Sequence, residues 1–156
     1  MKKEIQLTKA ANVFDKFKNS AETFIDNRVE DALYLKYLME HKYNVLKGGL
    51  ELGAPVLPLV MHDWSKFKPK NWVPYREHFF GQNTKQVQKD FRKAVDDHVT
   101  SEEHHDYKYH NPDHNIKPTG ENKADWWAVQ RYYYPDSTPT HIKDWLKQRN
   151  SKKNLT

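Results

Sequence analysis

The stretch Met61-His62-Asp63-Trp64-Ser65-Lys66 brings an imidazole, a carboxylate and an amine together at the end of an apolar run, Val56-Leu57-Pro58-Leu59-Val60. Imidazole nitrogen and carboxylate oxygen are the ligand set that suits Zn, Fe, Mn, Co or Ni, and the chain has no cysteine to offer instead. Read as a helix, the three- and four-residue spacing puts Asp63 on the face of Val56, Leu59, Val60 and Phe67, with His62 about 100° round from it. A carboxylate aimed into a core costs several kcal/mol unless something pairs with it, against a whole-domain stability of roughly 5–15 kcal/mol. A metal ion is the expected partner.

The same intrusion recurs along the chain. His41 falls on the apolar stripe of Leu33, Tyr34, Tyr37, Leu38, Val45, Gly48 and Leu52; His98 follows Val87, Phe91, Ala94 and Val95; Asp125 lines up with Ala128, Val129 and Tyr132. Four helices would each desolvate an ionisable group for no gain unless those groups meet, so the expected cofactor is a divalent transition metal (Mn, Fe, Zn, Co or Ni). His104 and His105 are candidates to complete a second position. Two ions about 3.5–4 Å apart, bridged by one carboxylate, would lower the pKa of a shared water and clamp a phosphoester. Lys66 would neutralise phosphate charge at the mouth of the site, and Arg76 is the second candidate for substrate contact. The plainer alternatives are core histidines held by hydrogen bonds, carboxylates acting as caps or salt-bridge partners, an exposed His104-His105 pair, and Arg76, Lys68 and Lys70 as solvated charge.

The elements that must position these groups read as helices. Val13, Phe14, Phe17, Phe24 and Ile25 predict one or two amphipathic helices over residues 1–29, a stronger pattern predicts a helix from Val29 to about Leu52, and Gly53-Ala54-Pro55 predicts its stop. Gly48 and Gly49 would permit close helix approach. Further helices are expected at 55–67, at 71–80 with Pro74 in its first turn, at 84–98, after Gly120-Glu121, and after Ser137-Thr138-Pro139, with a polar tail from Asn150. A loop from Tyr107 to Thr119 carries His110 and His114; these, with His78 and His141, are read as surface or hydrogen-bonding residues. The Trp126, Trp127 and Tyr132–Tyr134 aromatics are read as packing groups. No strand alternates convincingly and no Gly-rich phosphate loop is present.

The 156 residues suit one domain, with an N-terminal helical extension over about 1–28 and a tail over about 150–156. Without cysteine there is no disulfide framework, and no apolar run is long enough to span a bilayer, so a soluble, cytoplasmic protein without a membrane partner is expected. The formal charge of +5 favours an anionic partner, a phosphorylated small molecule or nucleotide first and nucleic acid second. Eight of the nine histidines fall from His62 onward, a concentration that points to ligation or proton chemistry.

The order His41, His62-Asp63, Asp125 resembles the His…His-Asp…Asp signature of the HD-domain superfamily of all-α, metal-dependent phosphohydrolases. His62-Asp63-Trp64-Ser65-Lys66 is similar to the His-Asp-x-x-Lys form of the HD-GYP phosphodiesterases, although the GYP motif itself is absent, which argues against a cyclic-di-GMP enzyme. His-Lys-Tyr, Gly-Leu-x-Leu-Gly, His-Asp-x-Ser-Lys-Phe, Pro-Tyr and a His followed by His-His are also similar to a widespread family of bacterial and phage proteins of no settled activity. From that family's pattern Glu102-Glu103 departs, standing where an Asn-containing stretch is expected. The resemblance implies an all-α, HD-domain-like helical bundle with His41, His62, Asp63 and Asp125 as central ligands and Asp63 as the bridge. It implies His98, His104 and His105 for a second metal, and a metal-activated water attacking a nucleotide or other phosphoester. Asp63 and Lys66 are then the catalytic pair. A di-iron oxygenase on a similar fold is the rival enzyme, and a non-enzymatic, phage-encoded module binding nucleic acid or protein is the third reading.

Overall fold

The first 47 residues contain neither glycine nor proline, so nothing in the backbone interrupts an α-helix once it has started. In the computed structural model of the chain, α1 accordingly runs unbroken over Lys2–Glu51, rather than as two or three shorter helices. The structure describes residues 2–102, 105 and 117–153, with side chains described for Thr23 and from Ile25 to Ser151 within those limits. At its end the Ala54 amide donates to the Gly49 carbonyl and the Gly53 amide to that of Leu50, with Gly53 at φ 74°. This is the glycine-dependent stop expected at that point, and Pro55 prevents any continuation.

The segment expected as one helix over 55–67 divides into three. Helix α2 covers only Val56–Met61; His62 is then extended at φ −48°, ψ 133°, Asp63 is left-handed at φ 59°, ψ 20°, and a 3-10 turn spans Trp64–Phe67. Asp63 is therefore buried not by sharing a helical face with Val56 and Val60, which are exposed, but by a reversal of the backbone that swings it inward. Helix α3 spans Pro69–Phe80 and begins two residues before Asn71, so Pro74 lies beyond its first turn. Helix α4 spans Lys85–Ser101 behind a Thr84 cap. Helix α5 spans Gly120–Tyr133, started by a reciprocal Thr119–Asn122 capping box. Helix α6 covers Ile142–Lys153, carrying regular structure past Asn150 where a polar tail was expected; residues 154–156 lie outside the described residues.

The fold is all-α, as the periodicity predicts, and among the described residues there is no strand. Helix α1 is the axis, packing most extensively on α5 and also on α2 and α3, while α3 packs on α4. Two apolar clusters result. Val45, Leu59, Ala124, Trp127, Ala128, Ile142 and Trp145 form one; Tyr34, Leu38, Tyr75 and Ala94 form the other. Both draw on α1, and His41 sits between the contributions of Leu38 and Val45. The close approach expected at the paired glycines is real: a β-carbon on Gly48 would stand 2.8 Å from the Trp127 ring, and one on Gly49 would collide with the Leu59 side chain. No described helix is long and apolar enough to cross a membrane.

Candidate metal centre

Five elements deliver ionisable groups to the seam between the two clusters. The straight α1 supplies His41, the extended residue after α2 supplies His62, the left-handed residue supplies Asp63, α4 supplies His98 and α5 supplies Asp125. His41, His62 and Asp63 are buried, and their ligand atoms lie within 4.8 Å of one another. His41 Nε2 stands 3.2 Å from His62 Nε2, 3.1 Å from Asp63 Oδ2 and 3.3 Å from Asp125 Oδ1. His62 Nε2 lies 3.6 Å from both Asp63 Oδ1 and Asp125 Oδ1. Two ligand atoms held on one ion by bonds near 2.1 Å stand roughly 3.0–3.4 Å apart, so this donor set fits a single transition-metal ion.

The second oxygen of the same carboxylate faces another pair of imidazoles. His98 Nε2 is 3.1 Å from Asp63 Oδ1 and 2.9 Å from His105 Nε2. The structure thus brings His41, His62, Asp63, His98, His105 and Asp125 together as the sequence leads one to expect; His104, like His110 and His114, lies outside the described residues. The exposed His141 meets Glu51 at 3.2 Å, as expected of a hydrogen-bonding surface residue, whereas His78, expected at the surface or in a hydrogen bond, is half-buried and stacks on Phe91 at 3.7 Å.

Hydrogen bonds on the far side of two rings fix their orientation. His62 Nδ1 meets Glu121 Oε1 at 3.1 Å, and His98 Nδ1 meets Ser65 Oγ at 2.7 Å. Each bond leaves the opposite nitrogen turned toward the cluster, the arrangement by which a ligating histidine is held in the correct tautomer. The unusual backbone at Asp63 is supported at several points. Lys42 donates to the Val60 carbonyl at 2.9 Å and also to that of His62, the Ser65 amide donates to Glu102 Oε1 at 2.7 Å, and Asn71 donates to the Ser65 carbonyl at 3.0 Å. Asp63 is the only non-glycine residue with positive φ among those described, and such outliers persist where the surroundings over-determine them. Glu121, Ser65, Lys42 and Glu102 were not anticipated. Glu121 left a trace in the spacing, standing four residues before Asp125 on one face of α5, while Lys42 and Ser65 stand within the His-Lys-Tyr and His-Asp-x-Ser-Lys-Phe motifs.

Opposite charges face one another within the cluster. Burial resists ionisation of Asp63, but Lys66 and His62 overcome it and hold the carboxyl well below the usual range. Burial likewise opposes ionisation of Asp125, and the hydrogen bonds from His41 and His62 reverse the effect. Burial pulls the His62 imidazolium down, yet Asp63, Asp125 and Glu121 raise its pKa to about 10. His62 thus carries, as a proton, positive charge that a cation would otherwise supply between the two aspartates. Burial, followed by His98, depresses His105 to about 4, leaving its ring neutral with a lone pair to offer.

Of the two expected phosphate contacts, only Lys66 is at the site. Its ammonium lies 2.7 Å from Asp63 Oδ2 and 5.5 Å from the centroid of the Tyr75 ring. Arg76, the other, is not a solvated charge. It is buried, donating to Asp31 at 3.0 Å and Asn27 at 3.2 Å on α1 and to Glu77, so it clamps α3 to α1. Comparison with curated proteins and with solved structures finds no match. Residues 30–155 match DUF5662, a family of unknown function, and the chain belongs to that family.

Proposed function

We propose that this member of the family is a metal-dependent phosphohydrolase acting on a nucleotide or other phosphoester. The observation that carries this reading is the Asp63 carboxylate, 3.1 Å from His41 through one oxygen and 3.1 Å from His98 through the other. A carboxylate set between two groups of imidazoles is the bridge that a two-metal hydrolytic site requires. His41, His62, Asp63 and Asp125 would hold the first ion, and Asp63, His98 and His105 the second. Bound Mn, Fe, Zn, Co or Ni would supply Lewis acidity, lowering the pKa of a coordinated water and offsetting charge that develops on phosphate oxygens.

The protein's own groups do the rest. Glu121 and Ser65 keep the His62 and His98 rings aimed, so their ligating nitrogens need no reorganisation when substrate arrives. Burial pulls the Lys66 ammonium down, but Asp63 raises it further, so it stays charged and near enough to the cluster to balance a phosphate. The resemblance of His41, His62-Asp63 and Asp125 to the HD-domain signature supports the same chemistry, and the absence of a GYP motif turns it away from cyclic-di-GMP.

Elemental analysis of the purified protein, coupled to a hydrolysis screen of nucleotides and phosphodiesters with and without chelator, tests the reading. One or two equivalents of transition metal and chelator-sensitive release of phosphate or alcohol are expected, with Asp63→Asn reducing turnover by at least about 1,000-fold. Metal-free protein, or hydrolysis indifferent to chelator, would overturn it. Bound iron with an oxygen-dependent colour change and no hydrolysis would replace it with an oxygenase.

A further inference from the structure

Over its described side chains helix α1 has two apolar faces, and much of one of them is exposed. Tyr34, Leu38, His41, Val45 and Gly48 face inward and are buried. On another side of the helix Leu35, Met39, Tyr43 and Leu50, spaced four, four and seven residues apart, are exposed to 44%, 52%, 66% and 50%. Spacing of this kind keeps side chains in one row along a helix.

Helix α2 widens the row. It runs back beside α1, with Leu59 seated on Gly49 and Lys42 reaching the Val60 and His62 carbonyls. Its remaining apolar residues Val56, Leu57, Val60 and Met61, with Trp64 just beyond, are all between 45% and 72% exposed. Nine large apolar side chains at roughly 100 Å² apiece make an exposed patch well beyond the few hundred Å² usual on a monomer. The sum is close to the roughly 800 Å² per partner of a specific protein interface.

We propose that this outward face of α1 and α2 is a homodimer interface, in which α1 of one copy lies against α1 of a second. A regular apolar row on a straight helix is self-complementary under two-fold rotation, which is the geometry of an isologous contact. The charges beside it suit a copy rather than a lipid surface or a nucleic acid. Lys36 and Glu40, both exposed, pair with each other at 3.9 Å, so they add no net charge beside the row, whereas an anionic partner would call for one sign. The inference is independent of the metal reading.

Sedimentation of the full chain over a range of concentrations is the test. A dimer is expected, and Met39→Glu with Leu50→Glu should weaken it by at least about 100-fold while leaving helical content and bound metal unchanged. Because the chain has no cysteine, Tyr43→Cys carrying a nitroxide gives a second measurement that needs no disruptive charge. Paired labels should report one defined inter-copy distance. A monomer at all concentrations, a dimer indifferent to the glutamates, or the absence of dipolar coupling between labels would each overturn the proposal.

Discussion

At the scale of single residues, the cluster depends on groups that would never be ligands themselves. Glu121 holds His62 by the nitrogen opposite the cluster. Exchanging its carboxylate for an amide keeps the volume and removes the charge that orients and polarises the ring. Glu121→Gln should lower metal affinity by about 10- to 100-fold, read by competition against a chromophoric chelator, with the thermal unfolding of the metal-free protein little changed. Equal affinity in both proteins would show that the contact is incidental.

At the scale of elements, two contacts decide whether α1 can present His41 where it is needed. The first is the bare backbone at Gly49, on which Leu59 rests. Gly49→Ala forces that side chain aside and should destabilise the protein by about 1–3 kcal/mol in denaturant titrations, despite the better helix propensity of alanine. The second is the clamp between α1 and α3, where Asp31 accepts from Trp72 at 2.7 Å and from Arg76 at 3.0 Å. Burial raises the Asp31 pKa, but these two donors outweigh it, and the folded value lies below the ordinary 3.8. A depressed folded pKa contributes stability above the unfolded value and loses it as pH falls from there through the folded one. Asp31→Asn should therefore flatten the acid limb of the stability curve below about pH 4, and an unaltered limb would assign the acid sensitivity to other carboxylates.

At the scale of the whole molecule, the candidate centre lies where two apolar clusters both draw on α1. Cations held by His41, His62, Asp63 and Asp125 and by Asp63, His98 and His105 would tie α1, the Asp63 turn, α4 and α5 together, so binding should act as a global constraint. At a free metal concentration of about 100 times Kd the gain is about 2.7 kcal/mol, which for a chain of this length raises Tm by roughly 5–10 °C. Scanning calorimetry of metal-loaded and chelator-stripped protein measures it directly. Coincident curves would mean that the charge balance among His62, Lys66 and the two aspartates is complete without an ion.

The sequence by itself determined the helical class, the stop at Gly53, the close approach at Gly48 and Gly49, and the membership of the cluster. Each of those is written in local spacing or in the misfit between an ionisable side chain and its apolar neighbours. Only the tertiary structure decided how Asp63 reaches the cluster. Helical periodicity assumes a continuous helix, and a single residue turned left-handed by contacts with Lys42, Glu102 and Asn71 leaves no periodic trace. The same limit hid the Ser65–His98 bond and misassigned Arg76. A charge in sequence looks the same whether it faces water or partners on another helix, and only the packing of α3 on α1 brings Asp31 and Asn27 to it.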